Sequence, residues 1–171
     1  MKKIYIILSH SGTIPSKLVK LFTLYKYSHV SISLNDSLET MYSFGRKSIN
    51  NPFNGGFIIE KRLGKFFKKY NKTRCTVLEL NVSREQYLKI IDIINKYKKD
   101  IDIYKYNFIG VFFKIFNIRI TRKNYNDCSS FVASVLKEAS IYNFNKRVVK
   151  PVDFLSIPDN KIIYSGRILD Y

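Results

Sequence analysis

Tryptophan is absent from this chain, and among its 171 residues cysteine, histidine and methionine occur only twice each. Cys75, Cys128, His10 and His29 are too widely separated to give zinc-ligand spacing, so neither a metal centre nor any other cofactor is expected. A disulfide scaffold is equally unexpected, because small exported domains build theirs from many closely spaced cysteines. Apolar runs are short as well. Ile4–Leu8 and Phe108–Phe113 fall far below the roughly 20 residues that a membrane-spanning helix requires. Met1-Lys2-Lys3 ahead of Ile4–Leu8 imitates the start of a signal peptide, but Ser9, His10 and Ser11 end the run and no small-residue cleavage site follows. The expectation is a first strand, and a cytoplasmic protein. Acidic residues are scarce too: 13 face 30 lysines and arginines, a net charge of +17.

What remains is enough for a folded domain. With 46% hydrophobic and 15% aromatic residues, the chain is neither disordered nor fibrous, and its length suits one domain over residues 1–171. Excess positive charge attracts polyanions without specificity, which makes an anionic membrane or nucleic acid an expected weak partner. Lys61–Lys72 is the densest basic stretch, with Phe66, Phe67 and Tyr70 interleaved. A merely solvated basic face would have the same composition.

Lys3–Ser9 reads as a strand, and Pro15 opens a helix with Leu18, Val19, Leu21, Phe22 and Tyr25 on its apolar face. His29–Leu34 alternates as a half-buried strand does, Asn35-Asp36 is turn chemistry, and Ser37–Phe44 returns as a second strand. Phe57–Glu60 and Thr73–Asn81 are further strands. Ser83 with Gln86 forms a capping box ahead of a helix that carries Tyr87, Ile90, Ile91, Ile94 and Tyr97 on one face. A short apolar helix is expected over Phe108–Phe116, a helical turn at Pro151–Leu155 and a last strand over Lys161–Ser165. Strands clustered between helices predict an α+β fold.

Asn126–Glu138 is the chemically suggestive stretch. Asn126 or Asp127 can cap a helix whose apolar stripe is Cys128, Phe131, Val132, Val135 and Leu136. A thiol in a helix's first turn faces the positive end of the macrodipole, which favours the thiolate. The same stripe equally suits a buried, inert cysteine. Cys75, in an alternating strand, reads as such a structural thiol. A nucleophilic cysteine needs a base distant in sequence but close in space, and His29 opens a strand, where a side chain is presented at a sheet's end.

Two segments resemble a known superfamily. SHVSISLNDSLETMYSF is similar to the histidine hairpin of the NlpC-like cysteine peptidases, and NDCSSFVASVL to their DCSGF-type nucleophile helix. Here the histidine precedes the cysteine, the order of the circularly permuted, YiiX-like and lecithin retinol acyltransferase-like branch of papain-like fold. The tail, Lys150–Phe154 with Ile163–Gly166, resembles that branch's ending. The resemblance implies a permuted papain-like α+β domain, a twisted antiparallel sheet packed on helices that include the nucleophile helix. It implies a cysteine hydrolase with Cys128 as nucleophile and His29 as base, acting on a small peptide, amide, ester or lipid-type substrate through a thioester. A polar residue across the hairpin would orient the histidine, which points to Glu39. A two-residue turn at Asn35-Asp36 would put Glu39 opposite Ile32, on the wrong face, whereas a longer loop or a bulge would turn it toward His29. Thr40 or Tyr42 replaces it if the short turn holds, and Glu60 on the next strand is a further candidate. A tyrosine upstream of the cysteine assists the oxyanion in related sequences, which points to Tyr106, with Tyr104 in reserve. Ser130 departs from the peptidases' usual glycine, and the acyltransferases' Asn-Cys-Glu-His motif is absent. The competing expectation is a non-catalytic basic module of the same fold.

Overall fold

The apolar run near the start becomes the middle of β1 (Lys2–His10), where every residue from Ile4 to Leu8 is buried. A strand covered on both faces needs apolar residues at consecutive positions, and this one has them. The computed structural model describes residues 1–11, 26–48, 51, 54–114 and 116–171. The helix expected after Pro15 lies outside those residues. β1 pairs with β2 (His29–Ser33) on one side and β5 (Arg74–Val82) on the other. β3 (Met41–Arg46) and β4 (Gly55–Glu60) extend the sheet beyond β2, and β8 (Lys161–Arg167) extends it beyond β5. Every neighbouring pair in this six-stranded sheet is antiparallel. Two short strands, β6 (Lys105–Tyr106) and β7 (Tyr125–Asn126), pair in parallel beside it. Among the described residues, four α-helices complete the mixed α and β architecture: α1 (Lys65–Lys69), α2 (Arg84–Lys99), α3 (Phe108–Lys114) and α4 (Cys128–Glu138).

The alternation along β1 divides the interior into two cores. Ile4, Ile6 and Leu8 join Val30 and Ile32 against Ile90, Ile93 and Ile94 of α2 and Phe131, Val132, Val135 and Leu136 of α4. Tyr5 and Ile7 join Met41, Cys75, Val77, Phe67 and Ile168 in the other. Cys128 belongs to the first core and Cys75 to the second, and both thiols are free. Burial pushes the Cys75 thiol up to about 12, the behaviour of a structural cysteine. The capping box at the start of α2 forms as the sequence predicts: Gln86 N donates to Ser83 Oγ at 3.0 Å, and Ser83 N to Gln86 Oε1 at 2.8 Å.

The basic stretch Lys61–Lys72 holds the short helix α1 and lies over the second core. Phe67 is buried in the second core, and Phe66 packs against that core, with Tyr70 4.9 Å away between ring centroids. Lys61, Lys65, Lys68, Lys69 and Lys72 are exposed, whereas Phe66 and Phe67 are turned toward the interior.

The β2–β3 hairpin also departs from expectation. Ile32 pairs with Tyr42 and Ser33 with Met41, so the connection runs from Leu34 to Thr40 instead of closing at Asn35-Asp36. Leu38 is fully buried in the second core and takes a positive φ of 53°, which pulls the loop inward and delays β3 to Met41. Ser33 Oγ braces the loop by donating to Thr40 O at 2.9 Å. Ser37 to Thr40 therefore lie outside the strand.

β6 reaches the sheet because two glycines let it. A Cβ on Gly55 would lie 2.7 Å from Tyr106 Cβ, and one on Gly56 would run into the Tyr104 carbonyl oxygen. At Gly56 the obstructing atom is backbone and cannot swing away. Gly56→Ala should cost about 1–3 kcal/mol, the usual range for overpacking, and should lower the denaturation midpoint. An unchanged midpoint would mean that β6 is not held by this contact.

Candidate functional site

α4 is positioned by its cap. Asp127 Oδ1 accepts from the backbone N–H groups of Ser129 at 3.1 Å and Ser130 at 3.2 Å, and Oδ2 accepts from Ser130 Oγ at 2.8 Å. This satisfies two of the orphan donors that every helix start carries and leaves the carboxylate off the Cys128 N–H. Lys114, at the end of α3, donates to Asp127 Oδ1 at 2.6 Å, Ser130 Oγ at 3.1 Å and Val149 O at 3.0 Å. One ammonium thus ties α3, the cap of α4 and the loop after it together. Below the cap, the apolar stripe of α4 anchors the helix to the sheet and sets Cys128 at its end.

His29 is the first residue of β2, and its imidazole lies close enough to Cys128 for the thiol to help raise its pKa. Its Nε2 faces Glu60 Oε2 at 3.0 Å. Ser31, two residues along and therefore on the same strand face, donates to Glu60 Oε2 at 2.5 Å and lies 3.3 Å from His29 Nε2. A Cβ on Gly45 would crowd Ile58 Cδ1 at 2.7 Å but would only touch the ring, at 3.6 Å from His29 Cε1. Burial alone would push His29 below its ordinary 6.5; the Glu60 carboxylate and the bonds to Cys128 and Glu60 outweigh it and raise His29 well above that value. For Glu60 burial works upward, but the His29 charge and the bonds from His29 and Ser31 hold its carboxyl below the ordinary 4.5.

Tyr106, on β6, lines the same cleft as Cys128, close enough for the thiol's charge to act on its hydroxyl. Burial, then the negative charges that Cys128 and Asp127 can carry, keep that phenol protonated well above its ordinary value of 10.0. The hydroxyl is therefore a donor. A small cleft of about 60 Å³ opens beside the thiol, between Tyr27, Tyr106, Val111, Val149 and Pro151. Among the described residues, no group of three or more histidine, cysteine, aspartate or glutamate side chains converges as a metal site. None of their helices is long and apolar enough to cross a membrane.

Of the residues expected from sequence, Cys128, His29 and Tyr106 come together. Tyr104 does not: it is buried in the first core, its ring 4.4 Å from that of Tyr97. Glu39 is exposed in the hairpin loop, because Leu38 plugs the core and holds the carboxylate outside β3. The carboxylate on His29 is that of Glu60. Tyr42 is buried against Phe57, and Thr40 contributes its carbonyl to Ser33. Ser31 was not foreseen, although strand alternation from His29 marks it. Lys114 left no signal, since nothing local links it to Asp127, thirteen residues on. No protein-family model matches the chain, and a search of curated proteins finds no match.

Proposed function

We propose that this protein is a cysteine hydrolase of permuted papain-like fold that cleaves an amide or ester bond through a thioester on Cys128. The observation that carries the reading is a thiol at a helix start within electrostatic reach of both an imidazole and a phenol, with the imidazole held by a largely buried carboxylate.

Each group has a role its surroundings support. His29 as imidazolium stabilises the Cys128 thiolate, which attacks the substrate carbonyl carbon. Negative charge then develops on the carbonyl oxygen, where the Tyr106 hydroxyl and the Cys128 backbone N–H can donate. His29 gives its proton to the leaving amine or alcohol as the C–N or C–O bond breaks and the thioester forms. The neutral imidazole next takes a proton from water, whose oxygen attacks the thioester. The collapse releases the acid and restores the thiolate–imidazolium pair. Glu60 fixes the ring and favours its charged form, and Ser31 fixes Glu60. The mostly apolar cleft walls suit a substrate with an apolar acyl or side-chain group, peptide-like or lipid-like.

The test is adduct formation with small activated esters and peptide amides, read by mass spectrometry of the intact chain and of its peptides. An acyl group on the Cys128 peptide is expected, with the acid released on standing. A chain that forms no adduct with any of them, or one that carries it only on Cys75 or on lysines, would sink the proposal. The competing reading, a basic module with an inert Cys128, predicts that null result.

A further inference from the structure

Large apolar side chains scattered singly over a surface need no explanation, whereas a cluster does. Ile103, Ile109, Phe112, Phe116 and Ile118 are 50%, 50%, 56%, 62% and 38% exposed, and all fall within one stretch leading into and out of α3. Phe108, 39% exposed and tilted against the Tyr106 ring at 4.7 Å between centroids, continues the patch toward the cleft. On the helix, Phe108, Ile109 and Phe112 occupy one side, because residues three and four apart are neighbours. The Phe112 and Phe116 rings lie 5.9 Å apart. The other side of the same helix supplies Val111 and Lys114 to the cleft wall. From Ile103 to Asn126 the sequence has Lys105, Lys114, Arg119, Arg122 and Lys123 and no acidic residue. Lys114 is spent on Asp127, but Lys105, Arg119 and Lys123 are exposed.

We propose that the outward face of α3 and the loop after it dock on an anionic lipid bilayer, with Ile109, Phe112, Phe116 and Ile118 entering the interface and Lys105, Arg119 and Lys123 meeting the head groups. The composition selects this occupant. Aliphatic and phenyl groups beside cations fit the boundary between acyl chains and anionic head groups. Nucleic acid would use the cations but has no use for Ile109 or Ile118. A second copy would bring cations against cations at a net charge of +17 each. Because α3 is also a wall of the cleft, docking sets the cleft beside the membrane surface. This proposal does not depend on Cys128 being reactive.

Vesicle flotation tests it, using phosphatidylcholine vesicles with and without about one-third phosphatidylserine. The full chain should bind the anionic vesicles and only weakly the neutral ones. Phe112→Ser with Phe116→Ser should weaken binding about tenfold or more, while Leu88→Ser, on exposed α2, should not change it. Arg119→Glu with Lys123→Glu should also weaken it about tenfold, with the remainder sensitive to salt. Both double variants change exposed side chains, and unaltered melting curves confirm that they fold. No binding to the anionic vesicles overturns the proposal. So does equal binding by the phenylalanine variant, which would make the attraction diffuse charge. A concentration-dependent dimer abolished by that variant would assign the patch to a second copy instead.

Discussion

Glu60→Gln should reduce turnover at neutral pH by about 10²–10⁴-fold and move the alkaline limb of the pH profile to lower pH. His29 is held above its ordinary 6.5 against the pull of burial, chiefly by the Glu60 charge. Glutamine can still meet the ring but has no charge, so burial wins and His29 loses its proton at lower pH. The imidazolium beside Cys128 is then scarce at neutral pH. Iodoacetamide should accordingly alkylate Cys128 more slowly in this variant, and more slowly again in His29→Ala. Unchanged alkylation in both would mean that the thiol does not draw on the imidazole at all.

The same pair contributes to stability over a defined window. His29 has a raised folded value, so its contribution is full below 6.5 and is lost as pH rises through that raised value. Glu60 has a lowered folded value, so its contribution is full above 4.5 and is lost as pH falls through that lowered value. The stability gap between the protein and Glu60→Gln should therefore be widest between 4.5 and 6.5 and narrow on either side. At its widest it should be about 2 kcal/mol, the worth of a charged hydrogen bond between two largely buried groups. With side chains 22% and 12% exposed, little of it is screened. Denaturant titrations across pH would show the peak; a flat difference would rule out the charge pair as its source.

Lys114→Met should be the more damaging change for the fold. The side chains of Lys114 and Asp127 are 13% and 4% exposed, and the ammonium's three protons meet three acceptors. Methionine keeps the volume but leaves a buried carboxylate without its cation, which costs about 3–5 kcal/mol when nothing else answers the charge. Three donors from Ser129 and Ser130 remain on Asp127, which places the expected loss near 3 kcal/mol, the low end of that range. Adding Asp127→Asn should recover a good part of it, a coupling of about 1–2 kcal/mol in the double-mutant cycle. The Val149 carbonyl also loses its donor, so the cleft wall at Val149 and Pro151 should loosen. A loss below about 1 kcal/mol, or strict additivity, would show that the pair does not hold the helix start.

Local physics made much of this molecule readable. The capping box at Ser83 and Gln86 works because its donors and acceptors lie within four residues of one another, and the apolar stripe of α4 because helical spacing is local. The α+β class followed from alternation and turns, and the grouping of Cys128, His29 and Tyr106 from a resemblance whose motifs lie near these residues. A hairpin closing at Asn35-Asp36 would turn Glu39 away from His29, and only a longer loop or a bulge would bring it round. The burial of Leu38 decided otherwise, and burial depends on what the rest of the chain supplies.

By itself, then, the sequence determined most of the longer strands and helices and which chemical groups open β2 and α4, but not β6, β7 or the Leu34–Thr40 loop. Only the tertiary structure decided what those groups meet. Glu60 reaches His29 from β4, two strands away in the sheet, and Lys114 reaches Asp127 from the end of another helix. Neither contact has a period or a motif, because each depends on how strands and helices stack after they have formed. The outward face of α3 is the same kind of result. Phe108–Phe113 looks like core in sequence, and it is the packing of the rest that leaves Ile109 and Phe112 at the surface.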